Sequence, residues 1–391
     1  MEVAVIGAGI TGLMAAYYLA RDGHNVHVYE QDRYPAMHTS FANGGQISVS
    51  NSEVWTTWAN VKKGTKWMFR KDAPLLVRPT FEWSKIKWLS KFLIHTIRGD
   101  YESNTVETIR MGLQSRELYK EIMAEELLEF DYSESGILHI YKDEEYFKQA
   151  EEAKNIYESN GCQWKILGPR QTARIDRALK HTRGIVGGAW TEDDSVGDIH
   201  MFCFELAQIL KKKYKVKFTF DRKIDRIDEE FDHYDKVVVS GGIGSNRIAR
   251  SLGDELNIYP IKGYSITINN VDPKYLPAVS ILDDQAKIVS STLGNRLRVA
   301  GTAELAGENY DIRRDRIEPL LKWVHENFPK IDTRDYTSWA CLRPMTPNMM
   351  PIVRQSEKNN KVFYHTGHGH LGWTVSPATA VKLVDMIGKT T

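Results

Sequence analysis

The chain has 391 residues, a formal net charge of +1, 42% hydrophobic and 26% charged residues. This length supports two packed domains of ordinary globular composition, and near neutrality excludes a global attraction to polyanions. No apolar run reaches the roughly 18 residues that a spanning helix needs. The chain opens directly on a strand, so no signal peptide is expected. Cys162, Cys203 and Cys341 form no CxxC pair, which points to a reducing, cytoplasmic setting without disulfides.

Glu2 to Ile6 is a short β-branched run that predicts a strand. Gly7-Ala8-Gly9-Ile10-Thr11-Gly12 follows at once, Leu13 to Arg21 has helical spacing, and Val26 to Tyr29 predicts a second strand ending at Glu30. This is the Rossmann context in full. Gly7 permits the turn, Gly9 lets the backbone approach a pyrophosphate, and Gly12 lets helix and strand pack closely. The helix N-terminus, with Ile10 and Thr11, favours phosphate, and Glu30 is placed to accept from a ribose diol. The unit alone does not separate NAD from FAD.

Residues 38–50, HTSFANGGQISVS, form a small polar loop. FAD is longer than one βαβ unit covers, and such a loop suits its middle. Ser40, Asn43 and Gln46 offer side-chain hydrogen bonds, while Gly44 and Gly45 allow close backbone. Residues 55–100 interleave Trp55, Trp58, Trp67, Trp83 and Trp88 with ten lysines and arginines, Arg70 and Lys71 among them. That pattern suits peripheral contact with a membrane surface, or an ordinary excursion with buried tryptophans and solvated lysines; nucleic acid is not expected.

Ile199 to Lys212 predicts a helix, Val216 to Phe220 a short strand, and Tyr234 to Gly242 a buried strand whose end, Gly241-Gly242, touches the AMP half of the cofactor. Residues 361–388 read as strand, glycine-rich turn and helix. Ser376 is the expected N-cap and Pro377 the expected first-turn residue. Gly367, Gly369 and Gly372 bring the backbone near a flavin ring, with Leu371, Trp373 and Thr374 in the same cofactor-binding segment. The helix N-terminus would face the pyrimidine edge and favour the anionic reduced ring. A nicotinamide dehydrogenase needs no such closing segment. His365, His368 and His370 lack the carboxylate or cysteine that would complete a metal site.

Several stretches in chain order resemble the flavin-dependent D-amino-acid dehydrogenases, within the D-amino-acid oxidase, glycine oxidase and sarcosine oxidase group. They are Val5 to Gly9, Ser40 to Ser48, Lys66-Trp67-Met68-Phe69, Ala73-Pro74-Leu75, Tyr259 to Thr267, Leu342 to Pro347 and His365 to Thr374. The resemblance implies an α/β fold: a discontinuous Rossmann-like FAD domain (residues 1–85, 145–245 and 340–391) and a mixed-sheet substrate domain (86–144 and 246–339). Strands of the latter would include Gly136 to Tyr141, Ile258 to Ile268, Lys287 to Ser291 and Arg296 to Gly301. It also implies oxidation of a free D-amino acid by hydride transfer from Cα to flavin N5. Hydrolysis of the imino acid then gives a 2-oxo acid and ammonia, and electrons pass to a quinone or another acceptor. The chain departs from the family at His38, usually acidic, at His370, usually Thr, at Val375 to Ala380, and in a compressed hairpin near Asp228 to His233.

The resemblance puts Arg343 at the substrate carboxylate, where a planar fork binds bidentately. Tyr264 is a candidate second donor to that carboxylate, and His370 a candidate partner of the substrate amine. Cys341 stands where the sarcosine oxidase branch tethers FAD through a thioether; non-covalent FAD is the expectation. The alternatives are an oxidase of glycine, sarcosine or another small amine, and a redox-silent flavoprotein that serves as an interaction module. The expected location is cytoplasmic, on the cytoplasmic face of the inner membrane if the membrane contact exists.

Overall fold

In the computed structural model, residues 1–67, 74–78 and 80–389 are described. Met68, Phe69, Arg70, Lys71 and Ala73, which the sequence reading singles out, lie outside them.

Two sheets organise the chain. The first has six strands in the order Ile352–Gln355, Val362–Thr366, Lys236–Val239, Glu2–Ile6, Asn25–Tyr29 and Lys217–Thr219. All neighbours are parallel except the antiparallel edge Ile352–Gln355. Val237, Val238 and Val239 are almost wholly buried, as expected where helices cover both faces of a parallel sheet. Helices Ile10–Arg21, Ile199–Lys212 and Gly372–Gly388 supply one covering layer.

The second sheet has nine strands and is largely antiparallel. Tyr336–Met345, Tyr259–Ile268 and Arg296–Leu305 form its long edge, and helix Arg314–Asn327 packs beneath it through Ile317, Leu320 and Val324. The expected strands are present as Ile137–Tyr141, Tyr259–Ile268, Ile288–Leu293 and Arg296–Leu305.

The sheets divide the chain differently from the sequence ranges. Lys165–Leu167 and Gly187–Thr191, inside the range read as cofactor domain, pair in the nine-stranded sheet. So do Leu75–Val77 and the end of Tyr336–Met345. Conversely helix Tyr101–Glu126, read as substrate domain, packs on Gly372–Gly388: Tyr119 Oη donates to the Trp373 carbonyl at 2.7 Å and the Ala378 amide to Ser115 Oγ at 3.1 Å. Residues near Asp228 form a 3-10 turn, Glu229–Phe231, capped by Asp228, rather than a hairpin.

Candidate functional site

A cleft of about 460 Å³ opens at the carboxyl ends of the parallel strands, the place where open α/β sheets hold ligands. Gly7, Gly9, Ile10, Thr11, Glu30, Ser40, Gly241, Gly242, Gly367, Gly369 and Gly372 all line it, so segments more than 300 residues apart in sequence converge there as expected. Gly7 has φ +105°, and a Cβ on it would sit 2.6 Å from the Ser240 carbonyl oxygen; only glycine passes this turn. Gly12 does not line the cleft. Its missing Cβ would lie 1.8 Å from the Gly7 carbonyl oxygen, so it locks the helix against the turn.

Helix Ile10–Arg21 has no side-chain cap from its N-cap, Gly9, and its first-turn amides therefore face the cleft with the positive end of the dipole. Ser40 Oγ takes one of them, Ile10 N, at 3.1 Å. Glu30 is buried at the end of its strand, accepting from Ala8 N at 2.6 Å and Asp32 N at 3.1 Å. Burial raises its pKa and the two amides oppose the rise. A glycine turn, an open helix N-terminus and a fixed carboxylate together fit the phosphates and ribose of a dinucleotide.

The 38–50 loop runs from this cleft to the second sheet. Thr39 Oγ1 donates to the Leu342 carbonyl at 2.8 Å, and Ser265 Oγ to the Ala42 carbonyl at 2.7 Å. Beyond that point it is anchored to protein. Asn43 Oδ1 accepts from Gly45 N at 2.9 Å, Ser291 Oγ donates to the Gly44 carbonyl at 2.8 Å, and Gln46 Nε2 donates to Ser280 Oγ at 2.8 Å. Asn43, Gly44, Gly45 and Gln46 are thus absent from the cleft lining. Asn43 Oδ1 and Gln46 Nε2, read from the sequence as cofactor contacts, instead hold the loop to itself and to the sheet. Gly45, at φ +76°, makes the turn that this docking needs.

Gly372–Gly388 begins four residues before the expected cap, Ser376, because Leu371 is its N-cap. Pro377 lies inside the helix. It is tolerated because the carbonyl it would leave without a donor, that of Trp373, accepts from Tyr119 Oη instead. Leu371 and the Trp373 side chain are buried, and Thr374 Oγ1 accepts from Ser48 N at 3.2 Å. Of this segment Gly372 faces the cleft. His365 and His368 both reach Thr379 Oγ1 at 2.9 Å, and burial holds both neutral.

Arg343, Cys341 and Trp339 alternate along Tyr336–Met345 and pair with Ile261, Gly263 and Ser265, so all six share one face of the sheet. The Arg343 guanidinium fills the space above Gly263: a Cβ there would be 2.4 Å from Nη2. Among the described residues Arg343 has no hydrogen bond or ion pair, and burial depresses its pKa. A desolvated guanidinium without an anion is costly, and a carboxylate delivered to this face relieves that cost.

His370 lies beside it. Burial lowers its pKa to about 4, helped by the Arg343 charge, while the Asn51 backbone hydrogen bond opposes the fall. Its ring stacks on Trp55 with centroids 5.0 Å apart and planes at 21°, and its Nε2 is buried without a partner. A neutral imidazole held by a carbonyl presents an unprotonated Nε2. Arg343 and His370 are therefore brought together as expected.

Tyr264 is not. It sits one residue out of phase with Gly263 and Ser265, on the opposite face, in the core beneath the sheet. Its hydroxyl donates to Glu304 Oε2 at 2.5 Å, and burial raises its pKa. Tyr264 belongs to a buried ionic network with Glu304 and Lys262, whose ammonium is 3.8 Å from Glu304. Cys341 is buried near Arg343, its thiol pKa pushed up by burial against the pull of Arg343 and Arg298.

The sequence reading missed two aromatics. Trp55 was seen only as part of the basic stretch, with no signal linking it to His370. Trp339 carries a buried, unpartnered Nε1 and packs on Phe41 with ring centroids 4.4 Å apart and planes tilted by 34°; its period-2 relation to Cys341 and Arg343 would have found it.

A family model described as FAD dependent oxidoreductase, DAO, matches residues 2–386. The chain is 45% identical to "D-amino acid dehydrogenase 3" of Mesorhizobium japonicum, covering 99% of this chain and 97% of that protein. It is 36% identical to "D-amino acid dehydrogenase" of Dechloromonas aromatica, again over 99% and 97%. The fold is that of glycine oxidase from Bacillus cereus, with a TM-score of 0.74 at 17% identity over 100% of this chain and 95% of the other.

Proposed function

The chain belongs to the DAO family of FAD-dependent oxidoreductases, and from that premise we propose that it oxidises free D-amino acids to 2-oxo acids and ammonia. The observation that carries this reading is the desolvated, unpaired Arg343 beside a neutral His370 whose Nε2 has no partner. The full-length relatives named for D-amino acid dehydrogenation support it.

When bound, FAD supplies a two-electron acceptor for the Cα–H bond. Gly7, Gly9 and the first turn of Ile10–Arg21 would hold its pyrophosphate, and Glu30 its ribose. Arg343 binds the substrate carboxylate in its fork and fixes the direction of Cα–H. His370 Nε2 accepts a hydrogen bond from the substrate amine and orients it; the substrate enters as the free amine, whose nitrogen lone pair assists loss of hydride. Trp55 holds the imidazole plane by stacking. FAD is held non-covalently, since burial keeps the Cys341 sulfur protonated and therefore a poor nucleophile.

The electron acceptor is a membrane quinone. Helix Trp83–Arg98 buries Lys85, Trp88 and Thr96 but exposes Trp83, Ile86, Leu89, Leu93, Ile94 and Ile97. Lys91 and Arg98 flank that stripe, and Lys87 pairs with Glu255. An apolar stripe with a basic edge suits an anionic bilayer surface. No helix among the described residues is long and apolar enough to cross a membrane. Flotation with anionic liposomes tests the contact; protein that stays wholly in the aqueous fraction refutes it. Oxidation of D-amino acids is tested by anaerobic bleaching of the flavin with paired D- and L-isomers.

A further inference from the structure

The segment after the cofactor loop carries a charged group that the reaction above does not use. Asn51 contributes the backbone partner of His370, and Trp55 contributes its stacking partner. Glu53 lies midway between them. In extended chain, residues two apart point to the same side and are roughly 6–7 Å apart. Ser52, Val54 and Thr56 are buried while Glu53 is exposed and Trp55 half-buried, an alternation that sets Glu53 on the side of Trp55.

Glu53 Oε1 accepts from Tyr101 Oη at 3.0 Å. Among the described residues its other oxygen has no hydrogen bond and the carboxylate has no ion pair. The nearby cations are already engaged: Lys287 Nζ bonds Asp284 at 3.0 Å, and Lys63 Nζ bonds Gln149 at 3.0 Å and lies 3.9 Å from the Tyr146 ring centroid. Glu53 is solvent-accessible, yet burial is the largest influence on it and raises its pKa, while Lys287 and Lys63 pull the other way.

The geometry points to Glu53 as the specificity residue for the substrate side chain, selecting D-amino acids that end in an ammonium or guanidinium group. The inference rests on the reading of Arg343 and His370 as the carboxylate and amine contacts. With those two ends fixed, a side chain of lysine or arginine length extends along the 51–55 segment and places its cation at the free Glu53 oxygen. The pair is then partly desolvated, where a charge-assisted bond discriminates strongly against an apolar tail.

The test is anaerobic reduction of the holoenzyme by D-lysine, D-arginine, D-norleucine and D-methionine, repeated with Glu53→Gln and Glu53→Asp. The expected wild-type preference in kcat/KM for D-lysine over D-norleucine is at least tenfold. Glu53→Gln should collapse that ratio and Glu53→Asp should retain part of it. Equal use of D-lysine and D-norleucine by the wild type overturns the inference and leaves D-amino-acid oxidation standing, and this result needs no variant to fold. A Glu53→Gln protein that loses both substrates in step also overturns it, since that is a structural loss. Failure of every D-amino acid to bleach the flavin overturns the underlying reading, and the inference falls with it.

Discussion

Gly263→Ala isolates the placement of the Arg343 guanidinium. The strand position tolerates alanine, since Gly263 is not among the glycines with positive φ. The added Cβ would meet Nη2 at 2.4 Å and Cζ at 2.5 Å, against ordinary contacts from 3.4 Å. The fork must shift by about 1 Å, and a misplacement of that size costs up to roughly 100-fold in rate. The expected outcome is a fall of about 10- to 100-fold in kcat/KM for the best D-amino acid, followed by anaerobic stopped-flow bleaching. The flavin spectrum and the melting temperature should stay near those of the parent, because Gly263 itself does not line the cofactor cleft and Leu342 and Pro344, which do, are unaltered. Unchanged kcat/KM in a folded, yellow variant would refute the assignment of Arg343 to the substrate carboxylate.

Other outcomes follow from the same geometry. Arg343→Met should lose at least 100-fold in kcat/KM, yet raise thermal stability in the absence of substrate, because an unpaired, half-buried charge is removed; a lowered melting temperature contradicts this. Tyr264→Phe should keep kcat/KM within about threefold and cost about 1–3 kcal/mol in denaturant unfolding, since buried Glu304 loses a donor. His370, with a pKa of about 4 folded against 6.5 for the free side chain, takes up its proton more readily unfolded. It therefore costs nothing above pH 6.5 and destabilises the fold progressively as pH falls from 6.5 to 4, by at most about 3 kcal/mol. His370→Asn should flatten that part of the stability profile, and an unaltered slope counts against a buried neutral imidazole. Acid precipitation should leave the yellow colour in the supernatant; colour retained in the pellet and lost in Cys341→Ser would establish a tether.

The cofactor half of the fold was legible because its signals are local. Gly7, Gly9, Gly12 and Glu30 fall within a single βαβ unit, where spacing alone dictates a turn, a helix start and a strand end. The register of long strands was less legible. Arg343 was placed by resemblance, but which neighbours share its face depends on pairing with Tyr259–Ile268, and a phase of one residue sends Tyr264 to the opposite side. The capping error at Ser376 has the same origin. Pro377 signals a helix start by local rules, and only a distant hydroxyl, that of Tyr119, lets it stand inside the helix. Asn43 and Gln46 carry the composition of a ligand loop, but Asn43 Oδ1 turns back on the loop's own Gly45 amide and a sheet more than 200 residues away in sequence takes the Gln46 amide and the Asn43 carbonyl.

The most direct test of the account is to record the visible spectrum of the purified protein under anaerobic conditions while adding D-amino acids, their L-isomers, glycine and sarcosine. The account predicts a flavin spectrum that bleaches with D-amino acids and not with their enantiomers. Bleaching by L-isomers, or by glycine or sarcosine alone, would contradict it, and a yellow protein that none of them bleaches would leave the cofactor cleft standing and remove the substrate assigned to Arg343.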